Sequence, residues 1–274
     1  MQQQKNLPFQ DQTEAVLQEL PQSTVSILLP RDVKKTLKQI KQPIQTTILD
    51  PWYNQGVGGI RNGYERWLIS LIKAAARISE HVFVWGFPEI IWRVLPHAPK
   101  ELELVAWLTW YYPNCPSVIR GWRSAQNVCL HFAKPNALLY PEHFLNEAQL
   151  EKQRQGKLRY MPGPPSVIAV PLNIGFVGKN EQTGHPAQKP VKVFEPLILM
   201  TTKEGDTVLD PMCGSGTSGA ACRNLSRNAI LCDVSEEYTR IAEKRLGVTA
   251  IKRLQNTALR IRKPHVSRSR KQPE

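Results

Sequence analysis

The sequence predicts an α/β fold: a doubly wound, mostly parallel sheet with one antiparallel edge strand and a small irregular insertion. Three observations carry that expectation. Short β-branched runs alternate with helical stretches of amphipathic spacing, the pattern of successive βαβ units. Two later strands follow one another without a helix between them, which places an antiparallel pair at one edge. A Gly-x-Gly turn joins a strand to a helix, and an acid ends the next strand about 20 residues on.

In chain order, residues 1–20 are polar and Gln-rich and read as a flexible N-terminal arm. Thr24–Leu29 reads as a buried strand, and Arg31–Ile40 as a helix with Val33, Leu37 and Ile40 on one face. Thr46–Leu49 is a second strand that runs directly into Asp50-Pro51, followed by a Gly-rich loop over 56–63. A helix from Tyr64 to Ser79 carries Trp67, Leu68, Leu71, Ile72 and Ala75 at helical spacing. His81–Trp85 is the next strand, Glu89–Leu95 a short helix, and Glu101–Trp107 and Asn127–Phe132 the two adjacent strands. Periodicity fails from Ala133 to Thr183, where Pro, Gly and charge dominate. Order returns with a helix over Pro190–Thr201, strand Thr207–Leu209, a helix from Thr217, strand Ala229–Cys232 and helix Glu236–Leu246. One α/β domain over 21–250 and a basic C-terminal tail over 251–274 complete the expected organisation.

A net charge of +13 calls for a polyanionic partner, because each Lys or Arg set against a phosphate releases a condensed counterion. Part of the excess lies in the tail, where residues such as Arg260, Arg262, Lys263, Arg268, Arg270 and Lys271 face the single acid Glu274. No apolar run reaches the roughly 18 residues of a membrane span, and the N-terminus has no apolar signal core. Five cysteines without a C-x-x-C pair read as reduced, buried thiols in a cytoplasmic protein. No His, Cys and acid cluster has metal-ligand spacing, so no metal is expected.

Val208-Leu209-Asp210-Pro211-Met212-Cys213-Gly214-Ser215-Gly216-Thr217 places the glycines between strand and helix, where backbone N–H groups are free to meet a ligand. Asp233, at the end of the following strand, stands where a doubly wound fold grips an adenosine ribose. The absence of Gly-Lys-Ser/Thr argues against a nucleotide-phosphate loop. The set Gly214, Gly216 and Gly219 matches G-x-G-x-x-G, so a dehydrogenase stays open on the glycines alone.

Asp50-Pro51-Trp52-Tyr53 narrows the choice. A carboxylate at the carboxyl end of a buried strand, a proline carbonyl on a fixed backbone and a neighbouring aromatic suit a planar base amine. Such a nitrogen is a poor nucleophile, because its lone pair is delocalised into the ring. Hydrogen bonds that hold it and stabilise developing positive charge provide the catalysis. The competing reading is a turn whose Asp caps the backbone and whose Trp and Tyr belong to the core.

With both sites in view, the sequence resembles the S-adenosylmethionine-dependent amino-group (N6-adenine or N4-cytosine) DNA methyltransferases of the β class, in which the catalytic motif precedes the cofactor motif. The match runs from about Thr24 to Leu246, and its most specific stretches are His185-Pro186-Ala187-Gln188-Lys189-Pro190 and Gly205–Thr217. The resemblance implies a Rossmann-like methyltransferase sheet, with a target-recognition region over roughly 114–180. It implies Asp50, Pro51, Trp52 and Tyr53 as catalytic residues, with Asp50 and the Pro51 carbonyl holding the amine and Tyr53 stacking on a base extruded from the duplex. Lys189, Asp210, Pro211, Gly214, Ser215, Gly216 and Thr217 would form the cofactor pocket, and Asp233 would take the ribose. Double-stranded DNA is the implied partner, in the cytoplasm and on the nucleoid, with a cognate restriction endonuclease as a candidate second partner.

The chain departs from the family pattern at Trp52, where D-P-P-Y has Pro, at Ala187 in place of Thr, at Met212-Cys213 in place of Phe-x, and in lacking His-Glu near Arg123–Asn127. A cytosine C5-methyltransferase is excluded by Asn114-Cys115-Pro116, which reverses the required Pro-Cys order. Amino-group RNA and protein-glutamine methyltransferases carry the two motifs in the opposite order. A non-catalytic DNA-binding relic would not need both Asp50 and Tyr53. The Asp-first turn places adenine slightly ahead of cytosine.

Overall fold

The computed structural model describes residues 23–54, 59–115, 118–119 and 121–252. The arm over 1–20 and all of the basic tail beyond Lys252 lie outside the described residues. In chain order the elements are β1 (Val25–Ile27), α1 (Val33–Gln39), β2 (Ile44–Leu49), α2 (Tyr64–Ala76), β3 (Ser79–Gly86), α3 (Pro88–Val94) and β4 (Glu103–Tyr111). A small hairpin, β5 (Val118–Ile119) and β6 (Trp122–Arg123), leads to β7 (Gln126–Ala133), α4 (Glu147–Arg154) and β8 (Val167–Ala169). The chain closes with α5 (Val191–Thr201), β9 (Thr207–Asp210), α6 (Thr217–Asn224), β10 (Asn228–Leu231) and α7 (Glu236–Leu246).

Eight strands form one sheet in the order β1-β10-β9-β2-β3-β7-β4-β8. The first five run parallel, and β7 is antiparallel to both β3 and β4. The expected mostly parallel sheet with one antiparallel strand is therefore present, but that strand is not at the edge. It lies inside the sheet, with β4 and the short parallel β8 beyond it. Burial explains the order. From Asn127 to Ala133, β7 is buried at every residue, whereas β4 exposes Glu103, Leu104, Val105 and Tyr111. A strand apolar on both faces belongs between neighbours, and a half-polar one belongs outside.

Side chains alternate across the sheet. Along β3, Val82 and Val84 join the cluster under α1, α2 and α3, while Phe83 and Trp85 join the cluster under α5, α6 and α7. On α2, Trp67, Leu68, Leu71, Ile72 and Ala75 all face inward, and each such leucine or isoleucine contributes about 1.5–3 kcal/mol by leaving water. The region from Ala133 to Thr183, expected to be irregular, begins with the last residue of β7 and holds α4, with a capping box between Asn146 and Gln149, and β8 on the sheet edge. Reciprocal bonds between Asn114 and the backbone of Leu172 (3.0 and 2.8 Å) tie the end of this insertion to the loop after β4. No helix among the described residues is long and apolar enough to cross a membrane, and all five cysteines are buried and unpaired.

The consequence for chemistry is the pairing of β2 with β9, with Thr46 opposite Val208 and Thr47 opposite Leu209. The two strands are far apart in sequence, yet their carboxyl ends open side by side.

Candidate active site

Asp50 leaves the end of β2 and meets a lysine from the far side of the sequence. The Lys189 ammonium donates to both Asp50 carboxylate oxygens at 2.6 Å and to the Tyr53 hydroxyl at 2.7 Å. The Tyr53 hydroxyl in turn donates to Asp50 Oδ1 at 3.0 Å. The lysine side chain is 5% exposed and Asp50 is 17% exposed, so this is a largely buried ion pair. The Lys189 ammonium also lies 5.1 Å from the ring centres of both Tyr53 and Trp85, within cation–π range. Burial first, and then the Asp50 charge, push the Tyr53 phenol well above its usual range, so it stays a neutral donor and acceptor. Phe87 packs edge-on against Tyr53 at 4.7 Å and sets its ring plane.

Pro51 is buried, and Trp52 turns away from Asp50. Its ring packs against Tyr64 (5.6 Å) and Trp67 (5.0 Å) of α2, and its Nε1 donates to the Gly59 carbonyl at 3.0 Å. The Tyr64 hydroxyl donates back to the Trp52 carbonyl at 2.5 Å. Trp52 thus anchors the turn to the helix behind it, which is the core role weighed for it in the sequence. Asp50 caps no turn.

Beside this turn, β9 ends in Asp210, which is 2% exposed. It accepts from Ser218 Oγ (2.5 Å) and from the Met212 N–H (3.1 Å). Burial nevertheless pushes its carboxyl up to about 7, with Ser218 working against that shift. Pro211 is buried after it. Gly214 and Gly216 adopt the left-handed backbone (φ +49° and +73°) that lets the chain turn into α6. A Cβ on Gly214 would stand 2.9 Å from His185 Nε2, so the glycine is also what admits that ring. His185 is held edge-on by Tyr238 at 4.2 Å, and burial lowers its pKa. Gly219 lets α6 lie on the sheet, because a Cβ there would come within 2.6 Å of Leu231 Cδ1.

Asp233 accepts the Gly214 N–H on Oδ2 and the Ser235 N–H on Oδ1, both at 2.9 Å. Each oxygen keeps a further acceptor lone pair, which is the chemistry a ribose diol needs. Ser215 and Thr217 face inward. Arg245 donates to Thr217 Oγ1 at 2.8 Å, and Thr217 donates to the Lys189 carbonyl at 3.1 Å. These two hydroxyls build the loop from beneath.

The fold therefore brings Asp50, Tyr53 and Lys189 into one cluster, and Asp210, Gly214, Gly216 and Asp233 into a second one beside it. Lys189, expected along the cofactor pocket, has its backbone on the glycine loop and its charge on Asp50. Ser218, His185, Tyr238 and Arg245 complete the arrangement without having been singled out by role. Ser218 is the one with a local signal, since it sits at the start of α6, eight residues after Asp210.

The site therefore sits on an α/β domain in which two acidic strand ends open side by side, one of them flanked by a glycine turn. The family model described as DNA methylase, covering N6 and N4 enzymes, matches residues 44–244, and the chain belongs to that family. It is 33% identical over 145 residues to the type II methyltransferase M.HpaI of Haemophilus parainfluenzae, covering 52% of this chain and 44% of that one. It is 37% identical over 114 residues to the DNA adenine methyltransferase YhdJ of Escherichia coli K12, covering 39% and 38%. The matched stretch spans less than half the length of these relatives. Among solved structures, the M1.HpyAVI–SAM complex superposes with a TM-score of 0.63 at 24% identity, covering 82% of this chain and all of that one. The cytosine-N4-specific PvuII DNA methyltransferase superposes with a TM-score of 0.62 at 20% identity, covering 86% and 88%. These two likenesses show the shared fold.

Proposed function

We propose that the protein transfers a methyl group from S-adenosylmethionine to the exocyclic amino group of a base extruded from double-stranded DNA. The observation that carries this reading is the pairing of β2 with β9, which sets the Asp50–Tyr53 cluster beside the Gly214 loop. The residues present fit the cofactor: Asp233 retains acceptor capacity for ribose hydroxyls, and the left-handed glycines open the loop at the N-terminus of α6. When bound, S-adenosylmethionine supplies a methyl group activated by its sulfonium.

This chain's own residues do the rest. One Asp50 oxygen and the Pro51 carbonyl accept the two amine N–H bonds and aim the nitrogen lone pair. Positive charge growing on that nitrogen is stabilised by the Asp50 carboxylate and by the Tyr53 ring. Tyr53, kept neutral by burial, stacks on the base. Trp52 supports the turn from behind. The region over roughly 114–180 reads the target sequence, and the net charge of +13 supplies phosphate affinity. Adenine N6 stands slightly ahead of cytosine N4 on the Asp-first turn.

The test uses purified protein with methyl-labelled cofactor. DNA becomes labelled while RNA and protein do not, and Asp50→Ala ends transfer while cofactor binding survives. Full activity in folded Asp50→Ala overturns the assignment. Mapping methylated positions in host DNA with and without the gene assigns base and recognition site together.

A further inference from the structure

The Lys189 ammonium sits where a cationic nitrogen is best stabilised at this end of the sheet. Two carboxylate oxygens at 2.6 Å, a phenol oxygen at 2.7 Å and two aromatic faces at 5.1 Å surround it. A base amine undergoing methylation becomes the same kind of object, a nitrogen that gains positive charge while donating hydrogen bonds. It needs one of the same Asp50 oxygens at about 3 Å. Lys189 donates to both of them, and although Oδ2 keeps a further lone pair, the two nitrogens would crowd the same face of the carboxylate. An ammonium left in place would also repel the charge that methylation creates.

The Lys189 carbonyl accepts from Thr217, the first residue of α6, so its backbone is tied to the glycine loop while its flexible side chain reaches across to Asp50. A lysine rooted at a cofactor loop is drawn by an anion bound there, and the methionine end of the cofactor carries a carboxylate.

We propose that Lys189 is a resident stand-in for the target amine, and that the cofactor carboxylate draws it off Asp50 and so opens the acceptor to the base. The proposal rests on reading Asp50 as the amine acceptor and the Gly214 loop as the cofactor site. It makes Lys189 a positioning residue that imposes an order, with cofactor before base. By linkage, Asp50 holding the lysine weakens the cofactor, and the cofactor holding the lysine frees Asp50.

The test needs no DNA. S-adenosylhomocysteine carries the carboxylate, and 5′-methylthioadenosine keeps the nucleoside and thioether without it. In protein with ¹⁵N-labelled lysine, the Lys189 ammonium signal is the one absent from Lys189→Met. Saturating S-adenosylhomocysteine moves that signal, and saturating 5′-methylthioadenosine leaves it in place. By calorimetry, Lys189→Met weakens S-adenosylhomocysteine by about ten- to a hundredfold, the worth of one charge-assisted bond, and 5′-methylthioadenosine by less than about twofold. Asp50→Asn, which keeps the side-chain shape, tightens S-adenosylhomocysteine, an opposite sign that general loosening of the site would not produce. An unmoved Lys189 signal at saturation, or equal effects of Lys189→Met on both ligands, overturns the proposal while leaving the methyltransferase reading intact. Failure of the unaltered protein to bind either nucleoside overturns the cofactor reading, and the proposal with it.

Discussion

Removing Asp50 should cost more than removing its partner, and the structure says by how much. Lys189 is 5% exposed and Asp50 17%. In Asp50→Ala the ammonium keeps, among the described residues, the Tyr53 hydroxyl as its one polar acceptor and stays nearly out of water. An uncompensated buried charge of this kind costs about 3–5 kcal/mol. In Lys189→Met the carboxylate is left with the Tyr53 hydroxyl as donor and better access to solvent, and the apolar thioether fills the space beside Tyr53 and Trp85. The loss there is about 1–2 kcal/mol. Combining Asp50→Ala with Lys189→Met removes both charges, so the double variant should be more stable than the sum of the singles by about 2 kcal/mol or more. For a chain of this size Asp50→Ala should lower Tm by roughly 10 °C. Urea unfolding of all four proteins at neutral pH, followed by tryptophan fluorescence and circular dichroism, measures the cycle. Equal midpoints for Asp50→Ala and the unaltered protein, or strict additivity, would refute the buried-pair argument. Transfer assays on Asp50→Ala belong well below its own melting point, so that lost chemistry is separated from lost fold.

Three further expectations concern other parts of the site. Burial raises the Asp210 carboxyl to about 7, so the native state holds that proton more tightly than the unfolded chain does; the resulting stability is fully present below about pH 4 and is lost as pH rises to about 7. Asp210→Asn, measured by urea midpoints across this window, should flatten the slope and gain up to about 4 kcal/mol at pH 8, and an unchanged slope would count against it. Gly219→Ala should cost about 1–3 kcal/mol by pressing a methyl onto Leu231, and the clash predicts that Leu231→Ala costs less in that background than alone. Trp52→Pro, which restores the commoner family residue, should lose the packing on Tyr64 and Trp67 and the bond to Gly59, costing roughly 2–4 kcal/mol with S-adenosylhomocysteine affinity unchanged.

Most elements could be read from local pattern, because apolar period and glycine turns act over a few residues. Helix Glu236–Leu246 has the bounds its periodicity implies, between Ser235 as N-cap and a left-handed Gly247. The place of β7 inside the sheet could not be read from chain order, and His131 within Val128–Phe132 hides in the sequence a strand that the structure buries on both faces. Helix α4 escaped because EAQLEKQR has no apolar stripe, while its Asn146…Gln149 capping pair was visible. In the candidate site, Asp50, Tyr53 and the glycine loop carry local signatures. The bond between Lys189 and Asp50 spans 139 positions and exists only through the pairing of β2 with β9. Nothing local distinguishes a lysine bound for an aspartate from one bound for solvent.

The strand order also constrains how the molecule is made. Strands β9 (Thr207–Asp210) and β10 (Asn228–Leu231) follow β1 and β2 by a long stretch of chain but lie between them in the sheet. During synthesis the early strands must wait with a gap two strands wide between them, filled only when residues 207–231 emerge. Because β9 and β10 are held on both flanks, the finished sheet cannot lose them one side at a time. A nascent chain that stops short of residue 189 has the Asp50 turn but neither the Lys189 ammonium nor the glycine loop beside it.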